Sequence, residues 1–246
     1  MQERLHLLHH PGTNPQPFDS VIVDIIDQKL VFKESHFYPR GGGQPGDFGL
    51  VSCGTIAKKI GEVTAGDVIH HPVEIADDFE IGQSIQCSFD IGRRNDLATM
   101  HSAQHLVSAF ADELWGADTV GNQIGRNETR IDLKFDDKTA FRIDSIETAV
   151  NDAITANLSI TTAEWTAHEL MEDDRVRNRS FIAKILSRLP EDVDKLRVVK
   201  IDGIDICPCA GTHVKETGEI PKISISRIKQ KGAGKLRLYY ELNLGN

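Results

Sequence analysis

Up to residue 90 the chain places apolar residues in short β-branched runs separated by turn signals. "SVIVDII" and "KLVF" read as two strands, with Asp27-Gln28 between them as a hairpin turn. "FGLVS", "GTIAKKI", "DVIHHPV" and "QSIQCSFD" continue the series, and "YPRGGGQPGDFG" is a dense Gly/Pro turn cluster. Short strands at this spacing predict a small β-barrel.

The period changes after Asp90. In "RRNDLATMHSAQHLVSAFADELWG" apolar residues recur at helical spacing, with Gly116 at the end. "DSIETAVNDAITANL" predicts a second helix capped by Asp144 or Ser145, and "HELMEDDRVRNRSFIAKILSRLP" predicts a third. Strand patterns lie between and after them: "TRIDLKF", "LRVVKI", "KISISRIKQ" and "LRLYYEL". With no βαβ repeat, the expectation is an α+β fold: an N-terminal β-barrel-like domain over 1–92, then a mixed α+β domain over 93–246.

The helical segment carries the first candidate chemistry. His101 and His105 are four residues apart, one turn along the same face, so two imidazoles can clamp one metal ion. "HSAQH" lacks the glutamate of an HExxH zinc protease. Cys209 and His213 repeat the spacing on a Pro- and Gly-containing segment, "CPCAGTHV", that predicts a loop. Three imidazoles and one thiolate suit tetrahedral zinc, with Cys207 an alternative thiolate because residues two apart on an extended segment share a side. His9, His10, His70 and His71 are adjacent pairs whose side chains point apart on a strand, and nothing joins them to that set.

Composition narrows the setting. The 246 residues are 39% hydrophobic and 26% charged, ordinary for a globular protein. No apolar run approaches the roughly 20 residues that span a bilayer, and "MQERLHLLHHPGTNPQPF" lacks a signal-peptide core, so no membrane association and a cytoplasmic address are expected. Four cysteines are too few for a disulfide scaffold. The net charge of −9 argues weakly against a nucleic-acid partner. It is unevenly spread, however. The stretch from Ile220 to Tyr240 carries Lys222, Arg227, Lys229, Lys231, Lys235 and Arg237 and no acid, a strip that can meet phosphate.

Together, "FYPRGGGQPGD", "HSAQHL" and "CAGTHV" resemble the editing domain of alanyl-tRNA synthetase, and most closely its free-standing AlaX-type relatives. Ala210 stands where the family's CGGTH pattern has glycine. The resemblance covers nearly the whole chain. It implies one zinc per chain on His101, His105, Cys209 and His213, choosing Cys209 over Cys207. It also implies a role for Gln123 in "GNQIG", and hydrolysis of serine or glycine from mischarged tRNA(Ala). On that reading, backbone donors around Gly211 and Thr212 serve the oxyanion. Gly41, Gly42, Gly43 and Gln44 meet the aminoacyl end, since "GGGQP" lacks the GK[ST] of a nucleotide-binding loop. Arg227, Lys229 and Lys231 meet tRNA phosphates. Two rival readings use the same residues: a structural-zinc module that binds tRNA or protein, and a metal-independent thiol hydrolase with Cys209 as nucleophile.

Overall fold

The computed structural model describes residues 2–8, 16–177, 179–186, 195–232 and 234–243. Its contacts separate two compact units, Met1–Leu97 and Ala98–Asn246.

The first unit is built from β1 (Glu3–Arg4), β2 (Phe18–Ile26), β3 (Lys29–Phe32), β4 (Glu34–Ser35), β5 (Gly49–Cys53), β6 (Ile56–Ile60), β7 (Thr64–Ala65), β8 (Ile69–Pro72) and β9 (Ser84–Phe89). Asp27 and Gln28 both take positive φ, 46° and 60°, as a two-residue hairpin requires, and β2 pairs with β3 antiparallel across them. Seven strands form one sheet in the order β6-β5-β9-β2-β3-β8-β7, over a core that includes Ile22, Phe32, Phe37, Val51 and Ile60. Among the described residues these ladders by themselves give a seven-stranded sheet, without a closed barrel ladder between its outer strands. An isolated bridge, Ile60 to Val73, and a Gly61 N–H to Pro72 carbonyl bond join the end of β6 to the end of β8.

The glycine-rich stretch is a closed turn. Gly41 and Gln44 exchange backbone hydrogen bonds at 3.1 and 2.8 Å. Gly42 and Gly43 between them have φ of 56° and 85°, values that favour residues without a Cβ. Gly46 allows close approach, because a Cβ there would lie 2.1 Å from the Val63 carbonyl oxygen. Asp47 then accepts from the Tyr38 amide at 2.7 Å and is ion-paired with Arg94, both carboxylate and guanidinium being buried.

His71 is fully buried in this unit. Its Nδ1 lies 2.9 Å from the Leu30 carbonyl, its Nε2 lies 2.8 Å from Ser35 Oγ, and its ring stacks on Phe32. Burial pushes its pKa down from the ordinary 6.5 to about 3. Between those values the unfolded chain binds a proton that the folded chain does not, so folding stability falls as pH drops through that window. The slope is about 1.4 kcal/mol per pH unit for one group. Urea unfolding at pH 7, 6, 5 and 4 checks this: His71→Gln should show a shallower acid slope than wild type, and an identical slope would contradict it.

Next comes α1 (Ile91–Trp115), within which the division between units falls. The second unit continues with β10 (Asp118–Gln123), β11 (Glu128–Lys134), α2 (Ile143–Thr155), β12 (Ile160–Thr166), α3 (Ala167–Glu172), α4 (Arg179–Leu186), β13 (Lys195–Ile201), β14 (Asp205–Pro208), β15 (Ile223–Lys231) and β16 (Lys235–Leu242). Two antiparallel sheets result, β10-β11-β16-β15 and β12-β13-β14, and the fold is mixed α+β as expected. Leu97, Ala98, Met100, Ala103, Leu106 and Val107 of α1 are all buried, and the Tyr240 hydroxyl of β16 donates to the Met100 carbonyl.

Three local expectations are corrected. The helix expected from residue 168 to just before Pro190 is split into α3 and α4. The Asp173 side chain binds the Arg175 amide and guanidinium, Val176 bridges to Ile206, and Arg177 turns inward, all of which take the backbone out of helix. Residues 187–189 of that run lie outside the described residues. The N-cap of α2 is Arg142, with extended backbone and no side-chain bond, so Asp144 lies inside the first turn rather than at the cap. β12 was not expected, because "ITTAEWT" on a sheet edge buries only Ile160 fully.

Candidate metal centre

Helix α1 brings His101 and His105 together, and the loop after β14 brings Cys209 and His213 to them. One donor atom from each of the four residues lies within 4.8 Å of every other. Cys209 Sγ is 3.6 Å from His101 Nε2 and 3.3 Å from His213 Nε2. A tetrahedral zinc with bonds of about 2.0–2.3 Å spaces its donors roughly 3.3–3.8 Å apart, so the set fits after a small contraction. All three histidines are buried, with Cys209 partly exposed.

Hydrogen bonding around the cluster aims the histidines. The Ser102 hydroxyl donates to the Ala98 carbonyl at 2.9 Å and accepts from the Val214 amide. With its proton committed, that oxygen can only accept from His213 Nδ1, 3.2 Å away, which leaves His213 Nε2 bare toward the sulfur. His105 Nδ1 lies 2.7 Å from Asp205 Oδ2, which leaves its Nε2 for the cluster. Arg177 grips the other side of Asp205, its Nε at 2.7 Å from Oδ1 and its terminal nitrogen at 3.0 Å from Oδ2. Arg197 donates to the carbonyls of Cys209 and Gly211 at 2.6 and 3.0 Å and so holds the loop.

Electrostatics separates the two cysteines. Burial opposes ionisation of Cys209, yet the charge of His101 and hydrogen bonds from His101 and His105 outweigh that and hold its pKa well below the ordinary thiol value. Burial pushes Cys207 up to about 12, so that thiol stays protonated. Cys209 is therefore the ready metal ligand, since only the thiolate coordinates. Burial takes His213 down to about 3, keeping it neutral and able to bind metal. His105 rises to about 9, because hydrogen bonds and charge from Asp205 and Cys209 exceed the opposing effect of burial.

The other candidates fall in several places. Gly211 and Thr212 are buried beside the ligands, and the Gly211 amide donates to Cys209 Sγ at 3.3 Å. Gln123 ends β10 on the exposed side, while its neighbour Asn122 turns inward to Gln104. Gln44 is buried within the first unit, with only 1% of its surface exposed, and Gly42 and Gly43 are exposed. Arg227, Lys229 and Lys231 all lie exposed on β15, at the edge of its sheet. Arg227 stacks over Tyr239 at 3.9 Å and pairs with Glu128. His71 is part of the first unit's core, as described above, and His9 and His10 lie outside the described residues. A cleft of about 700 Å³ in the second unit reaches Asp205 and Arg177 but is lined by none of the four donors.

Sequence reasoning missed Ser102, Asp205, Arg177 and Arg197. Ser102 sits inside "HSAQH", and Asp205 is four residues before Cys209, so both were within sight of the motifs. Arg177 lies in "EDDRVRNR", which reads as surface charge.

Three imidazoles and one cysteine sulfur, set between a long helix and a strand-end loop in an α+β unit, form a mostly buried donor set that could hold one metal ion. The family model described as "Threonyl and Alanyl tRNA synthetase second additional domain" matches residues 196–239. The chain is 29% identical over 234 residues to the alanyl-tRNA editing protein AlaX-M of Methanosarcina acetivorans, covering 92% of this chain and 94% of that protein. It is 28% identical to the alanyl-tRNA editing protein AlaX-L of Pyrococcus horikoshii, over 90% of this chain and 54% of that protein. It is 31% identical to the alanine–tRNA ligase of Methanobrevibacter smithii, over 94% of this chain and 26% of that protein. The chain is a homologue of the free-standing alanyl-tRNA editing proteins.

Proposed function

We propose that this protein is a trans-editing hydrolase that releases serine or glycine from mischarged tRNA(Ala) in the cytoplasm. The single observation that carries the reading is the convergence of His101, His105, Cys209 and His213 in a homologue of proteins named for alanyl-tRNA editing. A synthetic pocket sized for alanine cannot reject glycine or serine by binding alone, so a second, hydrolytic site is needed. Water is added across the ester, leaving a free amino acid and a terminal ribose hydroxyl.

On this reading the four residues hold one zinc ion per chain. Bound there, zinc would supply Lewis-acid polarisation of the ester carbonyl or of a water. The chain's own part is to keep Cys209 as thiolate, to present Nε2 of the histidines, and to shield the site by burial. Gln123 and the backbone donors around Gly211 and Thr212 remain our candidates for groups that touch the reacting ester. Gly41, Gly42, Gly43 and Gln44 contact the acceptor end on this reading, with the Gln44 backbone closing the turn. We also infer that the first unit's sheet rolls toward a barrel, which the bridge between the ends of β6 and β8 supports.

Arg227, Lys229 and Lys231 are proposed to meet tRNA phosphates. Two lost phosphate contacts lower the slope of log affinity against log salt by roughly 2. Arg227→Ala with Lys229→Ala should therefore weaken tRNA(Ala) binding and flatten that slope, read by filter binding from 50 to 300 mM salt, and an unchanged slope contradicts it.

The thiol-hydrolase reading has one feature in its favour, the lowered pKa of Cys209. Against it, three imidazole rings crowd the sulfur and the Gly211 amide caps it, an arrangement that suits a ligand more than an attacking nucleophile. Incubation with Ser-tRNA(Ala), Gly-tRNA(Ala) and Ala-tRNA(Ala) tests the function itself. Release of serine or glycine with alanine retained is expected, and no release from any of the three would refute it.

A further inference from the structure

We infer that the buried Asp205–Arg177 pair is the positioning device of the metal centre, orienting His105 so that it presents Nε2 to the ion. The inference rests on the reading of the cluster as a zinc site and adds two residues to it.

His105 is held by a single carboxylate. Asp205 Oδ2 lies 2.7 Å from His105 Nδ1 and 3.0 Å from one Arg177 nitrogen, while Asp205 Oδ1 lies 2.7 Å from Arg177 Nε. Both oxygens are thus used as acceptors, and the carboxylate cannot rotate without breaking a bond to one partner or the other. The arrangement is shut off from solvent: Asp205 is 2% exposed, His105 3% and Arg177 9%. A carboxylate buried that far needs a charged partner, and the planar fork of arginine matches it bidentately.

The backbone shows what the chain gives up to make this arrangement. Asp205 opens β14, paired with Ile201 of β13, so its place is fixed by the sheet. Arg177 reaches it from the break between α3 and α4, where its own amide donates to the Ile206 carbonyl and Val176 bridges to Ile206. The interruption of the expected helix is thus the local feature that delivers the guanidinium. Cys209 lies four residues beyond Asp205, so one short strand and loop carry both the carboxylate behind His105 and the sulfur in front of it. A metal-binding histidine characteristically donates its second ring N–H to a carboxylate, which fixes tautomer and ring plane. Loss of such a partner costs about 10–100-fold in metal affinity.

Asp205→Asn is the informative change. Its side chain has the same shape but one acceptor in place of two. With its oxygen in the Oδ2 place it serves His105 and one Arg177 nitrogen while its NH₂ faces the Arg177 Nε–H, and flipped its NH₂ faces the His105 Nδ1–H. The experiment uses the full-length protein: zinc affinity by competition with a chelator, absorption of the cobalt(II)-substituted form, and long-range ¹H–¹⁵N spectra reporting which His105 nitrogen carries the proton when zinc is bound. Asp205→Asn is expected to bind zinc about 10–100-fold more weakly, with an altered cobalt spectrum and a His105 Nδ1–H resonance that is shifted or lost. Should that variant not fold, Arg177→Lys keeps the charge, loses the fork, and should weaken zinc binding several-fold. A folded variant with wild-type zinc affinity, cobalt spectrum and His105 tautomer overturns the inference, even if its melting temperature has fallen, since a merely structural pair would lower only the last. If wild-type protein binds no zinc at all, it is the zinc reading that fails instead.

Discussion

Cys209→Ala is expected to lower serine release from Ser-tRNA(Ala) by about 10²–10³-fold, the usual cost of removing electrostatic stabilisation from an ester-cleaving site. The reasoning is electrostatic as well as geometric. Cys209 supplies the one anionic donor in the cluster. Its sulfur stands 3.3–3.6 Å from two imidazole nitrogens and is backed by the Gly211 amide. Alanine removes the charge that balances a dication and leaves only three imidazoles, a much weaker site. Metal content and deacylation should fall together. Near-normal deacylation by folded Cys209→Ala protein would remove the cysteine from the chemistry altogether, and would count equally against the thiol hydrolase. Loss of activity with zinc content retained would favour that rival over the metal reading.

The largest effect on stability is expected at Arg94. Its guanidinium is 0% exposed and its partner Asp47 1%. Nε lies 3.0 Å from both carboxylate oxygens, a terminal nitrogen donates to the His36 carbonyl at 2.9 Å, and the guanidinium sits 4.2 Å from the centre of the Phe89 ring. Removing one member of such a pair strands the other charge away from water, which costs about 3–5 kcal/mol. Arg94→Leu should lose that much in urea unfolding followed by far-ultraviolet circular dichroism. Adding Asp47→Asn to it should recover part of the loss, because the uncompensated charge is gone. A loss under about 1 kcal/mol would mean that the pair behaves as an exposed one. Asp47 also fixes the exit of the Gly41–Gly46 turn through the Tyr38 amide, so weaker editing by Arg94→Leu would be the functional echo of the same break.

What could be read in advance was local. The i, i+4 spacing of His101 and His105 is a property of any helix, and α1 spans Ile91–Trp115 close to where the apolar period placed it. Cys209 and His213 are likewise close in sequence, the complementary donors suggested that the two pairs meet, and the family resemblance chose Cys209 over Cys207. The residues that align the ligands could not be reached that way. Asp205 and Arg177 are 28 positions apart, and the pair exists because a helix stops at Asp173 and a strand starts at Asp205. In sequence, "EDDRVRNR" looks like a solvated charge run, and burial alone turns one of its arginines into a structural cation. β12 escaped notice for the converse reason: an edge strand with one fully buried residue leaves little hydrophobic trace. Gln44 lies in a motif that suggested contact with substrate, and the structure buries it in the turn that its backbone closes with Gly41, which the sequence does not show.

The claim on which all of this turns is that one ion held by the two histidines of α1 and the cysteine and histidine of the β14 loop governs ester cleavage. Elemental analysis combined with single-turnover deacylation tests it most directly. Purified protein is assayed as isolated, after chelation, and after zinc is returned, with circular dichroism confirming the fold each time. The expected result is about one zinc per chain, loss of serine release on removal of the metal, and recovery on its return. Folded, metal-free protein that clears Ser-tRNA(Ala) at the full rate would contradict the account.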